Sequence, residues 1–150
     1  MITGTIGINY AHELLHQSPK HEVWMADLLL AMVLYSHFRS EHVLVHHRYV
    51  ATRRDPVTAR YNVGFHRVFP GVIWKTYASA FEAEKTVLQR RSKPWFEASN
   101  PFWRYWALQL AFLTLAFAIG GWFALALFAF QAFVAIWQLE LVNYIEHYGL

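Results

Sequence analysis

The feature that most constrains this chain is a long apolar stretch near its C-terminus, residues 105–139, which carries no formal charge. As one straight α-helix, with a rise of about 1.5 Å per residue, it would extend about 52 Å. The hydrocarbon core of a bilayer is only about 30 Å thick. We therefore predict that the stretch breaks at Gly120-Gly121 into two membrane spans, residues 102–119 and 122–144.

The composition as a whole is that of a membrane protein. Hydrophobic residues make up 56% of the chain and aromatic residues 18%, whereas charged residues make up only 15%, against roughly 25% in globular proteins. A bilayer admits only helices or closed barrels, and the sequence shows no alternating strand pattern. It therefore predicts an all-α, polytopic membrane helical bundle.

Charge is distributed unevenly along the chain. Eleven of the 13 lysines and arginines lie between positions 48 and 104, where only four acidic residues occur. Such a basic excess beside membrane spans marks the cytoplasmic side. No nucleic-acid-binding motif accompanies it, so we predict no nucleic-acid partner. We divide the chain into a helix hairpin (residues 1–49), a basic cytoplasmic segment (50–101) and a membrane helix pair (102–145).

Two helices are expected in the hairpin. The first is too short to span a bilayer and is broken at Ser18-Pro19, because the residue before a proline disfavours the helical conformation. The second is predicted to run continuously over residues 22–49. In the basic segment, residues 74–91 are predicted to form an amphipathic helix, because aromatic and aliphatic side chains recur there at helical spacing. We expect no signal peptide, since no basic region precedes the first apolar run.

Two segments, HELLHQ (residues 12–17) and EHVLVHH (41–47), each carry a pair of histidines four residues apart. Residues at this spacing lie on one face of an α-helix, about one turn apart, so each pair can hold a metal ion between two imidazoles. A lone histidine is more often a surface or core residue than a ligand. Here, however, polar groups beside apolar membrane segments are functional by default. The two pairs are His12 with His16 and His42 with His46.

Two further histidines extend this set. His47 lies about 100° further round a helix than His46, which suits a second metal better than a third bond to the first. His147 stands in a third segment, NYIEHYGL (residues 143–150). The chain contains no cysteine, so metals must be held by nitrogen and oxygen. Beside the six imidazoles lie three carboxylates, Glu13, Glu41 and Glu146.

Together, HELLHQ, EHVLVHH and NYIEHYGL resemble the histidine boxes and the HYG motif of the AlkB-type integral-membrane non-haem diiron alkane monooxygenases. The sequence from His46 to Asn62, HHRYVATRRDPVTARYN, continues the resemblance. The chain departs from the family pattern at Gln17, where Lys is usual, at Val43-Leu44, where Asn-Arg is usual, and at Val45, where Gly is usual. These changes leave every imidazole in place.

The resemblance implies two non-haem irons. It implies that their ligands are His12, His16, His42, His46, His47 and His147. Glu13, Glu41 and Glu146 are then expected to orient ring N–H groups or to act as occasional ligands. His37 is expected to have a structural or hydrogen-bonding role, and His21 and His66 are expected to be solvated.

The same resemblance implies a reaction and its partners. Linear alkanes would be hydroxylated by O₂ to primary alcohols, with electrons passing from NAD(P)H through rubredoxin reductase to rubredoxin. The protein would lie in the lipid bilayer of the bacterial inner membrane, with its metal site facing the cytoplasm.

The family's third histidine box, which follows the HYG motif, is not found in the chain. We therefore expect the chain to be an internal fragment of such an enzyme and to be inactive by itself. Two irons with at least four donors each need about eight ligand positions, and only six are matched here.

Other functions fit parts of the pattern. A membrane desaturase or a xylene-type methyl hydroxylase uses similar histidine boxes. HELLH also fits the HExxH motif of a zinc metalloprotease, with Glu13 as general base, but that interpretation leaves the second histidine group without a role. A non-enzymatic membrane module that carries haem or metal is a further alternative, which the identity of the metal would distinguish.

Overall fold

The computed structural model describes residues 2–16, 19–52 and 54–149. Its helices are α1 (Ile2–Leu15), α2 (Lys20–Met32), α3 (Phe38–Glu41), a π-helical turn (His42–His46), α4 (His47–Tyr49), α5 (Phe65–Arg90) and α6 (Pro101–Glu146). Among these residues the only β-type pairing is an isolated bridge between Ala59 and Tyr148. The all-α prediction is confirmed.

Two compact units make up the chain. The first comprises residues 1–36 and 103–139, and the second comprises residues 37–102 and 140–150. Within the described residues, one helix, α6, is long and apolar enough to cross a membrane by length and composition.

In the first unit, α1 packs on α2. The small Gly7 on α1 allows close approach, since Leu29 lies 3.8 Å from the position that a Cβ would take there. Pro19 precedes α2 as its N-cap residue, which suits the predicted break, although Gln17 and Ser18 lie outside the described residues. The buried face of α2 has helical spacing and consists of Ala26, Asp27, Leu30 and Ala31.

The predicted continuous helix over residues 22–49 is wrong. Helix α2 ends at Met32, and Leu34 adopts a left-handed conformation with φ 55°. Two backbone bonds close this end, from Tyr35 N–H to the Leu30 carbonyl (2.9 Å) and from Leu34 N–H to the Ala31 carbonyl (3.1 Å). This is the Schellman pattern that ends many helices, formed here without the usual glycine.

Helix α6 begins with strong start signals. The Asn100 side chain accepts a hydrogen bond from the Phe102 N–H (3.0 Å), and Pro101 occupies the first helical position. The predicted glycine break is confirmed, because Gly120 (φ −148°, ψ 25°) and Gly121 (φ 58°, ψ −148°) leave the helical conformation. Phe112 and Phe128 stack across the break at 6.4 Å between ring centroids, so the two halves fold back on each other.

In the second unit, α5 is the longest helix. It begins nine residues before the predicted start at residue 74 and continues through Pro70. Ser40 on α3 donates a 2.6 Å hydrogen bond to the Glu84 carboxylate on α5. The Phe102 ring packs edge-on against Tyr77 and Phe81 of α5. The Ser40 bond ties α3, which leads directly into the π-helical turn, to α5.

Candidate metal centre

The first histidine pair lies at the C-terminal end of α1. The His12 and His16 rings are 5.2 Å apart and nearly perpendicular, as the four-residue spacing predicts. His12 is partly exposed and His16 is exposed. Glu13 is also exposed, and its carboxylate lies 4.0 Å from His12 Nδ1. The pair is therefore accessible from outside the first unit.

The second group lies on the π-helical turn. The His42 and His46 rings stack at 5.3 Å with an interplanar angle of 14°. The helical spacing predicted that His47 points away from the face shared by His42 and His46. In the structure it lies against His42. Its N–H bonds to the His42 carbonyl, the i to i+5 bond of a π-helix, and its Nε2 lies 3.0 Å from His42 Nε2. The prediction is wrong because it assumed 3.6 residues per turn.

This nitrogen pair passes a simple test of metal fit. Imidazole nitrogens bind metals at about 2.1 Å, so two such nitrogens at right angles around one ion lie about 3.0 Å apart. The observed separation of His42 Nε2 and His47 Nε2 is 3.0 Å. His42 is buried and His47 is exposed, so the pair is open on one side.

His147 joins the same group in the second unit. Its ring lies 4.8 Å from the His46 ring, held there by backbone bonds between the C-terminal segment and residue 59. Ala59 N–H donates to the His147 carbonyl (3.3 Å), and Gly149 N–H donates to the Ala59 carbonyl (2.9 Å). Burial lowers the pKa of His147 and the neighbouring His46 lowers it further, against the opposing effects of Asp55 and Glu146. The neutral ring is the form that binds metals.

Asp55 was not predicted as part of the site. Its carboxylate is fully buried, and its Oδ2 lies 3.1 Å from His46 Nδ1. Burial alone would raise the pKa of Asp55, but the hydrogen bond and charge of His46, with bonds from Thr58 and Val57, hold it below its usual value. The sequence shows only an Asp-Pro pair in a basic loop, which is typical of a turn. Nothing in that pattern places the carboxylate beside His46.

The three predicted carboxylates occupy different environments. Glu41 is buried, and neither of its carboxylate oxygens has a hydrogen-bond partner among the described residues. Burial raises the pKa of Glu41 to about 9, with further contributions from the charges of Glu140 and Asp55. Glu13 and Glu146 are exposed. Glu140, which was not predicted for the site, is buried.

The remaining histidines lie apart from these groups. His37 is buried and packs edge-on against Tyr77 at 5.0 Å. His21 is exposed beside Glu22, and His66 is exposed near the start of α5. Of the six predicted ligands, His12 and His16 lie together in the first unit. The other four lie together in the second unit: His42, His46, His47 and His147.

Comparison with known proteins gives consistent matches. The family model described as fatty acid desaturase matches residues 1–150. The chain is 37% identical over 149 residues to alkane 1-monooxygenase 2 of Alcanivorax borkumensis. It is 36% identical over 149 residues to alkane 1-monooxygenase 1 of Pseudomonas aeruginosa and 34% identical over 145 residues to alkane 1-monooxygenase of Acinetobacter baylyi. These alignments cover 97–99% of this chain but only 36–39% of each relative, so the chain spans about two fifths of their length.

Proposed function

Because this chain belongs to the fatty acid desaturase family, we propose that it serves the terminal hydroxylation of linear alkanes to primary alcohols at a histidine-ligated diiron centre. The observation that carries the proposal is the similarity of almost the whole chain to proteins named alkane 1-monooxygenases. It agrees with the resemblance drawn from the histidine motifs.

The residues that would hold the two irons are the six histidines of the two groups: His12, His16, His42, His46, His47 and His147. Imidazole is a suitable ligand for iron, and the 3.0 Å separation of His42 and His47 Nε2 fits two bonds to one ion. When bound, the irons would supply the activation of O₂ that C–H hydroxylation requires. Glu13, Glu41 and Glu146 are proposed to orient the imidazoles or to act as occasional ligands.

An apolar substrate would reach the protein from the bilayer, into which it partitions. We propose that the chain forms part of a polytopic helical bundle, with the break at Gly120-Gly121 separating two spans. Support comes from an apolar cavity of about 600 Å³ between the two halves of α6. Its lining, which includes Phe112, Leu115 and Phe128, offers a surface suited to a linear alkane.

The electrons are proposed to come from rubredoxin, reduced by rubredoxin reductase. In the second unit a cavity of about 830 Å³ is lined by Arg54, Arg60 and Lys75. None of these three cations forms an ion pair with a described residue, so they remain available to an acidic partner. The basic segment also supports a location in the bacterial inner membrane with the metal site facing the cytoplasm.

Desaturation of a fatty acyl chain is a second candidate, favoured by the description of the family model itself. Both reactions begin with an unactivated C–H bond and use the same ligand type. A xylene-type methyl hydroxylase shares these features. The zinc metalloprotease hypothesis explains only the first histidine pair, whereas the second unit gathers four more imidazoles.

Because the chain spans about two fifths of its relatives' length and is expected to be inactive by itself, the test uses the purified full-length protein that contains it. Its products are analysed in lipid vesicles supplied with NADH, rubredoxin reductase and rubredoxin. We expect octane to yield 1-octanol, and an acyl substrate to yield no double bond. His46→Ala should abolish the product, whereas the exposed His66→Ala should not. Formation of an unsaturated acyl product without octanol would move the assignment to a desaturase.

A further inference from the structure

Asp55 is a carboxylate of the second unit that contacts a proposed ligand, His46. Its Oδ2 lies 3.1 Å from His46 Nδ1, and its side chain is fully buried. We propose that Asp55 is a positioning residue that fixes the tautomer and the ring orientation of His46, so that His46 presents Nε2 to the metal. The inference rests on the proposed metal centre.

The tautomer follows from the hydrogen-bonding capacity of the two groups. An ionised carboxylate only accepts hydrogen bonds, and a neutral imidazole carries one N–H. With Asp55 beside Nδ1, the proton of His46 must lie on Nδ1, which leaves the lone pair of Nε2 free to bind a metal. Metal-binding histidines commonly donate their other N–H to a carboxylate in this way.

The carboxylate is itself held firmly. Val57 N–H donates to its Oδ1 (3.2 Å), and the Thr58 hydroxyl donates to its Oδ2 (2.9 Å). Two donors besides His46 therefore hold the buried carboxylate, which restricts its rotamer and keeps Oδ2 beside His46 Nδ1. Such support is what keeps a ligand in a productive orientation.

The same loop also holds a second proposed ligand. Four residues after Asp55, the backbone of Ala59 bonds to the His147 carbonyl and to the Gly149 N–H. The Tyr144 hydroxyl donates to the Val63 carbonyl at 2.8 Å. The segment from Asp55 to Val63 thus fixes His46 through a side chain and His147 through the backbone, which accounts for the 4.8 Å approach of the two rings.

The carboxylates predicted from the sequence do not make this contact. Glu41 makes no hydrogen bond to a described residue, and Glu146 is exposed. The geometry therefore assigns the orientation of His46 to Asp55.

Iron affinity and the spectrum of the bound iron test this role without requiring turnover. Asp55→Ala removes the acceptor, whereas Asp55→Asn keeps an acceptor oxygen and removes only the charge. From the usual effect of such groups, we expect a loss of iron affinity of about 10–100-fold in Asp55→Ala and a smaller loss in Asp55→Asn. Both should change the Mössbauer quadrupole splitting of the bound iron. Glu97→Gln, at a partly exposed carboxylate paired with Lys93, is the control and should match the unsubstituted protein.

A purely structural role would lower the melting temperature of Asp55→Ala but leave affinity and spectrum unchanged in the folded protein. That result would overturn the proposal. If Asp55→Ala does not fold, Asp55→Asn provides the test. Iron affinity and quadrupole splitting equal to those of the unsubstituted protein would then overturn the proposal. An unsubstituted full-length protein that contains this chain and binds iron, yet oxidises no alkane, would contradict the proposed reaction while leaving the role of Asp55 intact.

Discussion

The Nε2 atoms of His42 and His47 lie 3.0 Å apart although five residues separate them. On an α-helix, five residues correspond to about 500° of rotation, so the two side chains would diverge by about 140°. The π-helical turn removes this divergence, since its i to i+5 hydrogen bond places His47 over His42. The distorted turn thereby brings two histidines five positions apart to a spacing that would fit two bonds to one metal ion.

The first prediction concerns this pair. His47 is exposed, so His47→Ala removes an imidazole with little loss of packing. We expect iron affinity to fall by at least about tenfold, while the circular dichroism spectrum and the melting temperature of the metal-free protein stay unchanged. His66→Ala, at another exposed histidine, is the matched control. Equal iron affinity in the two variants would exclude His47 as a ligand.

The second prediction concerns the break in α6. Gly121 has φ 58° and ψ −148°, a region open almost only to glycine, where another residue costs about 1–3 kcal/mol. Gly121→Ala should therefore lower the melting temperature in detergent. Gly71 on α5 has no heavy atom within 4 Å of the position that a Cβ would take, so Gly71→Ala should raise stability by up to about 1 kcal/mol. A shift of the same sign in both variants would refute the special role of the break.

A third prediction follows from a buried ion pair in the first unit. Arg104 Nη2 lies 2.6 Å from the fully buried Asp27 Oδ2, and its guanidinium also lies over the Trp24 ring at 4.9 Å. Removing one partner of such a pair leaves an uncompensated charge and costs about 3–5 kcal/mol. We expect Asp27→Leu and Arg104→Met each to be strongly destabilising. The free energy of unfolding in detergent should fall less in the double variant than the sum of the two single losses. Additive losses would show that the pair is not coupled.

The elements predicted correctly from the sequence depend on local signals. The break in α6 follows from two adjacent glycines in a stretch too long for one span, and the His12–His16 contact follows from helical spacing. Such features need no knowledge of distant residues.

The features that were missed depend on tertiary contacts or on unusual backbone geometry. Leu34 ends α2 in a left-handed conformation that a branched side chain seldom adopts. The π-helical turn has no recognisable sequence signal, because Val43, Leu44 and Val45 are equally compatible with an α-helix in an apolar setting. Asp55 reaches His46 only after the intervening loop has folded back, so its proximity cannot be inferred from the nine-residue separation.

The fourth prediction concerns orientation in the membrane. The chain has no cysteine, so single cysteines can be labelled without background. A cysteine introduced by Ser92→Cys in the basic segment should resist a membrane-impermeant thiol reagent in intact cells and react after lysis. Ile119→Cys, beside the break in α6, should react in intact cells. The opposite pattern would place the basic segment outside the cytoplasm.

The most direct test of the account is the metal content of the protein purified from cells grown with iron, combined with Mössbauer spectroscopy. We predict two irons per molecule in the unsubstituted full-length protein that contains this chain, with a marked loss in His46→Ala and none in His66→Ala. One zinc per chain, or iron content unaffected by His46→Ala, would contradict the assignment of these histidines to a diiron centre.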